Sequence, residues 1–587
     1  MSSKPVGKKR PRIPKVRTGC PISYLKSGLN VHIRRVKCDE SRPECKRCLT
    51  FGAGYCDGYE YGLLPKEQPE KKRLLFKEEC QALVRRPAPQ IDPSLEVFEN
   101  QLEYHCFRFY MEDAAPSLSF SNQSIWHHLL LQATQGQPFI RHAITTIGAL
   151  CRSSKNLGRK NVWATSTHRL PQHFRGCAAS SASRQSRAFA LQQYDKFLAG
   201  AKRQISTNPD MADVYKRRTA LIVCLLVVCI ETLQFQYTVA LRHAHDGLRL
   251  MQEYLDTVPG TGGYGTSSLS SHVIEDELVQ QFKRLDLQTL SWFGARTPVD
   301  HTRFKCEGSL LLRSMPKEFA NIEEARSYLD IVMRRTYHFM AYALKGKVSF
   351  LAFHDTVLGD SDLDIKECWK NNPRANVSGS ILDPVDGIHI EQEKHAAEIR
   401  RWSQAFQPLF HSALQNRDES QLLETFLLKI HSTSLTVRLA GILSSSELVY
   451  DGFKPEFKEI VSLSQAVLGH PNSEKLFAAG SFSFDIGIIY PLLAVSYACR
   501  DRTLRREAIS LLESKSWREA QWGSSPSMHV SKFLMAVEED GIETDFIPEW
   551  ARARLSSIEV NTETGQARVC CIRGTGESAV SKYSVWH

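Results

Sequence analysis

The chain has no long apolar run. Its most apolar stretch, Ala220 to Ile230, is eleven residues, well short of the roughly 20 that a bilayer requires. That length excludes a membrane span there and predicts a helix buried on all sides in a large core. No apolar signal segment opens the chain either, so its 16 cysteines are expected in a reducing compartment rather than in disulfides. Excess charge is equally scarce over most of the length. The formal charge is +11, yet residues 1–60 hold 14 Lys or Arg against 5 Asp or Glu, leaving +2 for the other 527 residues. The positive charge therefore belongs to one small segment and not to the large body. Catalytic signatures are missing too: there is no G-x-S-x-G, H-E-x-x-H or kinase-type set, and nothing argues for an enzyme. Gly260, Gly262 and Gly265 spell G-x-G-x-x-G, but a helical pattern precedes them and a serine run follows, where the motif needs a strand and then a helix. His243 and His245 stand two apart on a predicted helix, and His127 and His128 are adjacent. Neither pair shares a face, so both read as ordinary interior or surface histidines.

What the chain does have is a dense set of thiols near its start. Cys38, Cys45, Cys48 and Cys56 follow the spacing C-x6-C-x2-C-x7-C, with Cys20 upstream and the basic run RRVK ending just before Cys38. Soft thiolates in such density suit tetrahedral zinc, and the C-x2-C pair lets one short turn present two sulfurs to one ion. The flanking arginines and lysines supply the charge that a nucleic-acid backbone selects. The segment GKKRPRIPKVR reads as a phosphate-contacting arm, a nuclear import signal, or both. The other eleven cysteines are scattered. Cys106, Cys151, Cys224 and Cys229 fall in apolar helical patterns and read as small buried hydrophobes, while Cys570 and Cys571 read as incidental in a polar tail.

At VRTGC, RRVKCDESRPEC, KRC and CDGY the chain resembles the fungal binuclear zinc cluster, the six-cysteine DNA-binding module of fungal transcription factors. The resemblance implies Zn2+ as cofactor, two ions in an intact cluster. It assigns Cys20, Cys38, Cys45, Cys48 and Cys56 as metal ligands, with Cys20 and Cys45 bridging. The family's second cysteine is absent: Ser23 stands three residues after Cys20, and Val31 occupies the position counted back from Cys38. Replacing Ser23 to His32 by Cys-Arg restores the family spacing, so about eight extra residues separate Cys20 from Cys38. Without that thiol one site keeps only Cys20, Cys38 and Cys45, and occupancy is then one ion or none. His32 is the candidate substitute ligand, although it lies one residue, or about 100 degrees of helix, from the lost position. A genuine insertion and a misplaced splice boundary both account for the extra residues.

The resemblance further implies that a basic helix ending at Cys38 enters the major groove. Arg34, Arg35 and Lys37 are the candidate base readers, and Lys46 and Arg47 the candidate phosphate contacts. Double-stranded DNA with CGG-type half-sites is the implied partner, and a homodimer is the usual reader of two such sites. The function so implied is a sequence-specific transcriptional regulator of RNA polymerase II genes in the nucleus, acting on a metabolic or secondary-metabolite gene cluster. The alternative is a helical protein-interaction regulator whose zinc module is defunct and does not bind DNA.

Five regions follow. Residues 1–16 are the basic arm, 17–60 the zinc module and 61–94 a charged linker. In the linker, Leu63, Leu64, Leu74, Leu75 and Leu83 do not sustain heptads. Residues 95–555 are expected to form a large all-helical domain, making the fold mainly α. Pro138 opens a helix with Ile140, Ile144, Ile147 and Cys151 on one face. Leu191, Tyr194, Leu198 and Ile205 mark a second stripe, and Leu278, Phe282 and Leu285 a third. Glu393 to Phe406 reads as a surface helix. The stretch LIVCLLVVCIETLQFQYTVALRHAHDGLRLM predicts a helical hairpin turning near Gln236. The body, mainly 95–350, also resembles the fungal-specific regulatory domain that often follows the zinc cluster. Residues 158–187 and 259–271 read as a disordered insertion and a flexible loop. Residues 556–587 read as an unstructured tail with one short strand at ARVCCIR.

Overall fold

The computed structural model describes residues 98–120, 125–158, 181–207, 213–257, 274–292, 298–344, 351–354, 385–416, 419–561, 567–574 and 580–586. The chain divides after Arg86 into two units, and every described residue belongs to the second. The arm, the cysteine module and the linker lie outside the described residues, as does the 259–271 loop with its G-x-G-x-x-G glycines.

The fold is mainly α; helices of nine or more residues are numbered in chain order. Helix α1 (Gln101–Phe109) begins with a side-chain cap. Asn100 Oδ1 accepts the Glu103 N–H at 2.9 Å, and the Glu103 carboxylate accepts the Glu99 N–H at 3.0 Å. The first bond satisfies a donor that the helix start leaves orphaned, and the second holds the residue before the cap. Pro138 opens α2 (Pro138–Gly158), where its missing N–H costs nothing. Ile140, Ile144, Ile147 and Cys151 are all buried on its inner face. The predicted hairpin forms from α4 (Asp213–Leu233) and α5 (Tyr237–Thr257). Leu278, Phe282 and Leu285 line the buried side of α6 (Asp276–Trp292).

Helix α3 (Ser181–Thr207) departs from expectation twice. It takes in residues 181–187, which the sequence assigned to a disordered insertion; the rest of that segment from Arg159 lies outside the described residues. Its buried face is also not the predicted stripe. Leu191, Leu198 and Ile205 are exposed, whereas Phe189, Ala190, Tyr194, Phe197 and Ala201 point inward. Aromatic contacts decide the face: Phe197 stacks on Phe139 at 6.1 Å, and Tyr194 Oη donates to Glu231 at 2.6 Å.

The middle of the body is α7 (Ile322–Ala343), α8 (Val385–Asn416) and α9 (Glu419–Gly441). The Glu393–Phe406 segment lies inside the longer α8, and Ile399, Trp402, Ala405 and Phe406 form its buried face. Then come α10 (Lys454–Gly469), α11 (Ile489–Ala498), α12 (Arg502–Ser514) and α13 (Ser524–Glu539). Three large apolar cores result among the described residues, beside a small cluster of Cys106, Ala149, Phe189 and Ala190. One gathers α1 to α6 with Phe482 and Phe484, one the α7–α9 region, and one α9 to α13 with the C-terminal strands.

The expectation of an unstructured tail is corrected. Strand β1 (Leu351–His354) pairs in parallel with β5 (Ala553–Asn561). Antiparallel to β5 runs β6 (Ala567–Arg573), and antiparallel to β6 runs β7 (Val580–Trp586). The predicted strand ARVCCIR is β6 itself. The expected boundary at residue 555 falls inside β5. Each strand is too short to persist alone. Pairing in a meander, together with Ile558, Val569 and Cys571 packed on the third core, makes them stable. Cys570 and Cys571 are accordingly buried, not incidental residues of a polar tail. A smaller sheet joins β2 (Phe482–Ser483), β3 (Arg518–Glu519) and β4 (Trp522–Gly523) in that order.

Candidate functional site

All of the sequence's candidate site residues lie outside the described residues: Cys20, Cys38, Cys45, Cys48 and Cys56, His32, and Arg34, Arg35, Lys37, Lys46 and Arg47. The body supplies a contrast. Among the described residues no group of three or more His, Cys, Asp or Glu is arranged to hold a metal ion. Four of the body's covered thiols are also in the wrong protonation state for zinc. Burial pushes Cys106 up to about 11 and Cys151, Cys224 and Cys571 up to about 12. A thiol held that high stays protonated, and only the thiolate binds metal. The N-terminal set is different in kind, since its thiols are flanked by arginine and lysine, which favour the thiolate. The donor set at the N-terminus therefore fits zinc, and these four thiols of the body do not.

His243 and His245 lie on α5, and His127 and His128 in the π-helical turn Ile125–Leu129. Other polar constellations were invisible in the sequence because their members come from separate elements. His338 of α7 approaches Asp286 of α6 at 3.1 Å through Nε2 and His301 at 3.0 Å through Nδ1. Arg334 Nε donates to the same Asp286 carboxylate at 2.6 Å. Asp286, His301 and His338 are all fully enclosed, so the group is a structural tie between helices.

A second constellation anchors the C-terminal sheet. Arg500 Nη2 donates to Glu538 at 2.9 Å and to Glu447 at 3.3 Å. Glu538 pairs with Arg505 at 2.6 Å and accepts the N–H of Ala553, where β5 begins, at 2.7 Å. A third lies at the start of α11. The fully buried Glu519 carboxylate accepts the backbone N–H groups of Gly487, Ile488 and Ile489 and the Trp517 indole N–H at 2.8–3.0 Å. Burial outweighs these donors and pushes its acid up to about 7.

The class of module is shown by comparison with known proteins. Residues 32–60 match the Fungal Zn(2)-Cys(6) binuclear cluster domain, a zinc-binding domain. The matched span opens at His32, after the extra residues that separate Cys20 from Cys38, and holds Cys38, Cys45, Cys48 and Cys56. Two curated relatives are similar to part of the chain. The aspercryptin biosynthesis cluster-specific transcription regulator atnN of Emericella nidulans is 28% identical over 236 residues, covering 38% of this chain and 34% of that protein. The transcription regulator lscL of Purpureocillium lilacinum is 23% identical over 223 residues, covering 38% of this chain and 48% of that protein. The match thus spans about a third to a half of the length of these relatives. No solved structure matches the chain. Among the described residues no helix is long and apolar enough to cross a membrane.

Proposed function

We propose that this chain is a sequence-specific DNA-binding regulator of RNA polymerase II transcription, acting in the nucleus without catalysis of its own. The observation that carries the reading is the zinc-cluster match at residues 32–60, set in the one strongly basic segment of an otherwise nearly neutral chain. Cys20, Cys38, Cys45, Cys48 and Cys56 would hold zinc, with His32 as candidate replacement for the thiol missing at Ser23. Bound zinc supplies the folding energy of a module too small to build an apolar core. Arg34, Arg35 and Lys37 then read base edges of CGG-type half-sites, and Lys46 and Arg47 hold phosphates. Homodimerisation would pair two half-sites. Both relatives are named as transcription regulators, one of them specific to a biosynthesis cluster, which supports control of a secondary-metabolite gene cluster.

The absent second cysteine favours one other reading, a helical interaction regulator whose zinc module does not bind DNA. Zinc stoichiometry and DNA binding of the full chain, made from verified cDNA, separate the two. Two zincs per chain and salt-sensitive binding to CGG-containing duplex, both lost in Cys45→Ala, support the DNA reader. No zinc and no preference among duplexes overturns it.

A further inference from the structure

Between the end of α13 and the start of β5 runs the segment Asp540–Ala551, sequence DGIETDFIPEWA. It presents the features of a prepared contact surface. Phe546 is 58% exposed and Trp550 57% exposed, and no other phenylalanine or tryptophan of described burial is exposed. Large aromatic rings normally bury themselves, and tryptophan at a surface is enriched where proteins meet. In the same segment Asp540, Glu543 and Asp545 are all exposed.

The segment is also held in shape. Gly541, at φ +73, ends α13 in the left-handed conformation that glycine tolerates. Arg502 Nη2 donates to the Ile542 and Thr544 carbonyls at 3.0 and 2.7 Å, and Arg573 Nη2 to the Asp540 carbonyl at 2.6 Å. Arg552 Nε donates to the carbonyl of Ile547, whose side chain is buried as an anchor. Arg552 and Arg573 also lie 5.6 and 5.5 Å from the Phe546 and Trp550 ring centres. Both of these arginines are largely covered, and Arg573 also pairs with the exposed Asp540 carboxylate at 3.8 Å. A pre-shaped surface loses less entropy on binding than a disordered one.

We propose that Phe546 and Trp550, with the exposed carboxylates of Asp540, Glu543 and Asp545 in the same segment, form a docking surface for a partner protein whose binding face is an apolar groove bordered by lysine and arginine. The rings would fill the groove and the carboxylates would pair with its rim. The same charge disfavours nucleic-acid phosphate and an anionic membrane, and so selects a basic protein. All of these residues lie outside the zinc module in sequence.

The full chain, fused to a heterologous DNA-binding domain, is placed at a reporter gene, so that recruitment no longer depends on the cysteines. Reporter output, promoter occupancy and thermal midpoint are measured for wild type, for Phe546→Ser with Trp550→Ser, and for Asp540→Asn with Glu543→Gln and Asp545→Asn. The proposal expects output to change about tenfold in the ring variant, the loss of one interface hot spot. A smaller change in the same direction is expected in the charge variant, with occupancy and midpoint unchanged in both. Output within about twofold of wild type in both variants overturns it, as does a wild-type fusion with no effect on the reporter. A dimer in sedimentation that the ring variant converts to monomer overturns it in favour of a second copy of the chain. An effect that vanishes when Lys8, Lys9, Arg10 and Arg12 are changed to Gln overturns it in favour of the chain's own basic arm. Because the fusion bypasses the zinc module, failure here leaves the DNA-binding reading intact, and failure of that reading leaves this test valid.

Discussion

The guanidinium of Arg518, on β3, lies 3.9 Å from the ring centre of Phe235, at the turn between α4 and α5. Phe235 has φ 66, a left-handed conformation unusual for a bulky residue. The turn needs it: the Gln236 N–H bonds back to the Glu231 carbonyl at 2.9 Å and the Phe235 N–H to the Thr232 carbonyl at 3.2 Å. Arg518 completes the closure by donating to the Thr232 carbonyl at 2.6 Å and to Tyr237 Oη at 3.0 Å. One cation thus covers the strained ring, satisfies the carboxyl end of α4 and ties the hairpin to the last third of the chain.

Arg518→Ala should therefore cost roughly 2–4 kcal/mol of unfolding free energy, through lost hydrogen bonds and the lost ring contact. Arg518→Lys should fall between that variant and wild type, because an ammonium keeps the charge but not the planar fork. Urea unfolding of the full chain reads both. Equal midpoints for all three proteins would show the contact to be incidental.

Gly148 marks the closest approach of α1 and α2. A Cβ there would stand 2.1 Å from the Cys106 carbonyl oxygen, a backbone atom that cannot turn aside. Gly148→Ala should destabilise by about 1–3 kcal/mol, as overpacking does, despite alanine's better helix propensity. A thermal midpoint above wild type would contradict the packing.

Glu538 joins Arg500 and Arg505 to the N–H that starts β5. Neither Arg500 nor Glu538 exposes more than 4% of its side chain. Glu538→Ala should cost about 3–5 kcal/mol, since it leaves buried guanidinium charge uncompensated. Amide hydrogen exchange should rise first in β5 and β6; uniform exchange across the body would place the effect elsewhere.

Glu519 predicts a pH effect. Its acid is raised from 4.5 to about 7 in the folded protein. The folded state therefore holds this proton more tightly than the unfolded state does. The contribution is full below the unfolded value near 4.5 and is lost as pH rises through about 7. Glu519→Gln keeps a neutral side chain throughout. The stability difference between variant and wild type should shift by about 3 kcal/mol in the variant's favour between pH 4.5 and 8. Parallel stability–pH curves would refute the assignment.

For the zinc module, Arg35→Ala and Lys46→Ala should separate base reading from phosphate contact. Arg35→Ala should lose roughly 1–3 kcal/mol of discrimination between CGG and altered sites. Lys46→Ala should weaken all duplexes alike and lower the salt slope by about one. A uniform loss for both variants, measured by fluorescence anisotropy against salt, would remove Arg35 as a base reader.

How much was legible in the sequence varies element by element. The α2 face through Ile140, Ile144, Ile147 and Cys151 and the α4–α5 hairpin were readable, because a helix writes its burial at a period set by its own geometry. The α3 face was misread because Leu191 and Leu198 are as apolar as the true contacts. Only the rings of Phe139 and Phe197, from separate helices, decide which side turns in. The cysteine spacing was readable for the same local reason: metal chemistry imposes short intervals, and the match at residues 32–60 agrees with it.

The sequence by itself thus determined what neighbours along the chain can settle: a basic thiol-rich module, a large helical body and the short strand at β6. Tertiary structure alone decided that the last residues form a meander on β1, that Arg518 closes a distant turn, and that Phe546 and Trp550 face solvent. Each of these depends on a partner far away in sequence, whose distance no local period or composition encodes.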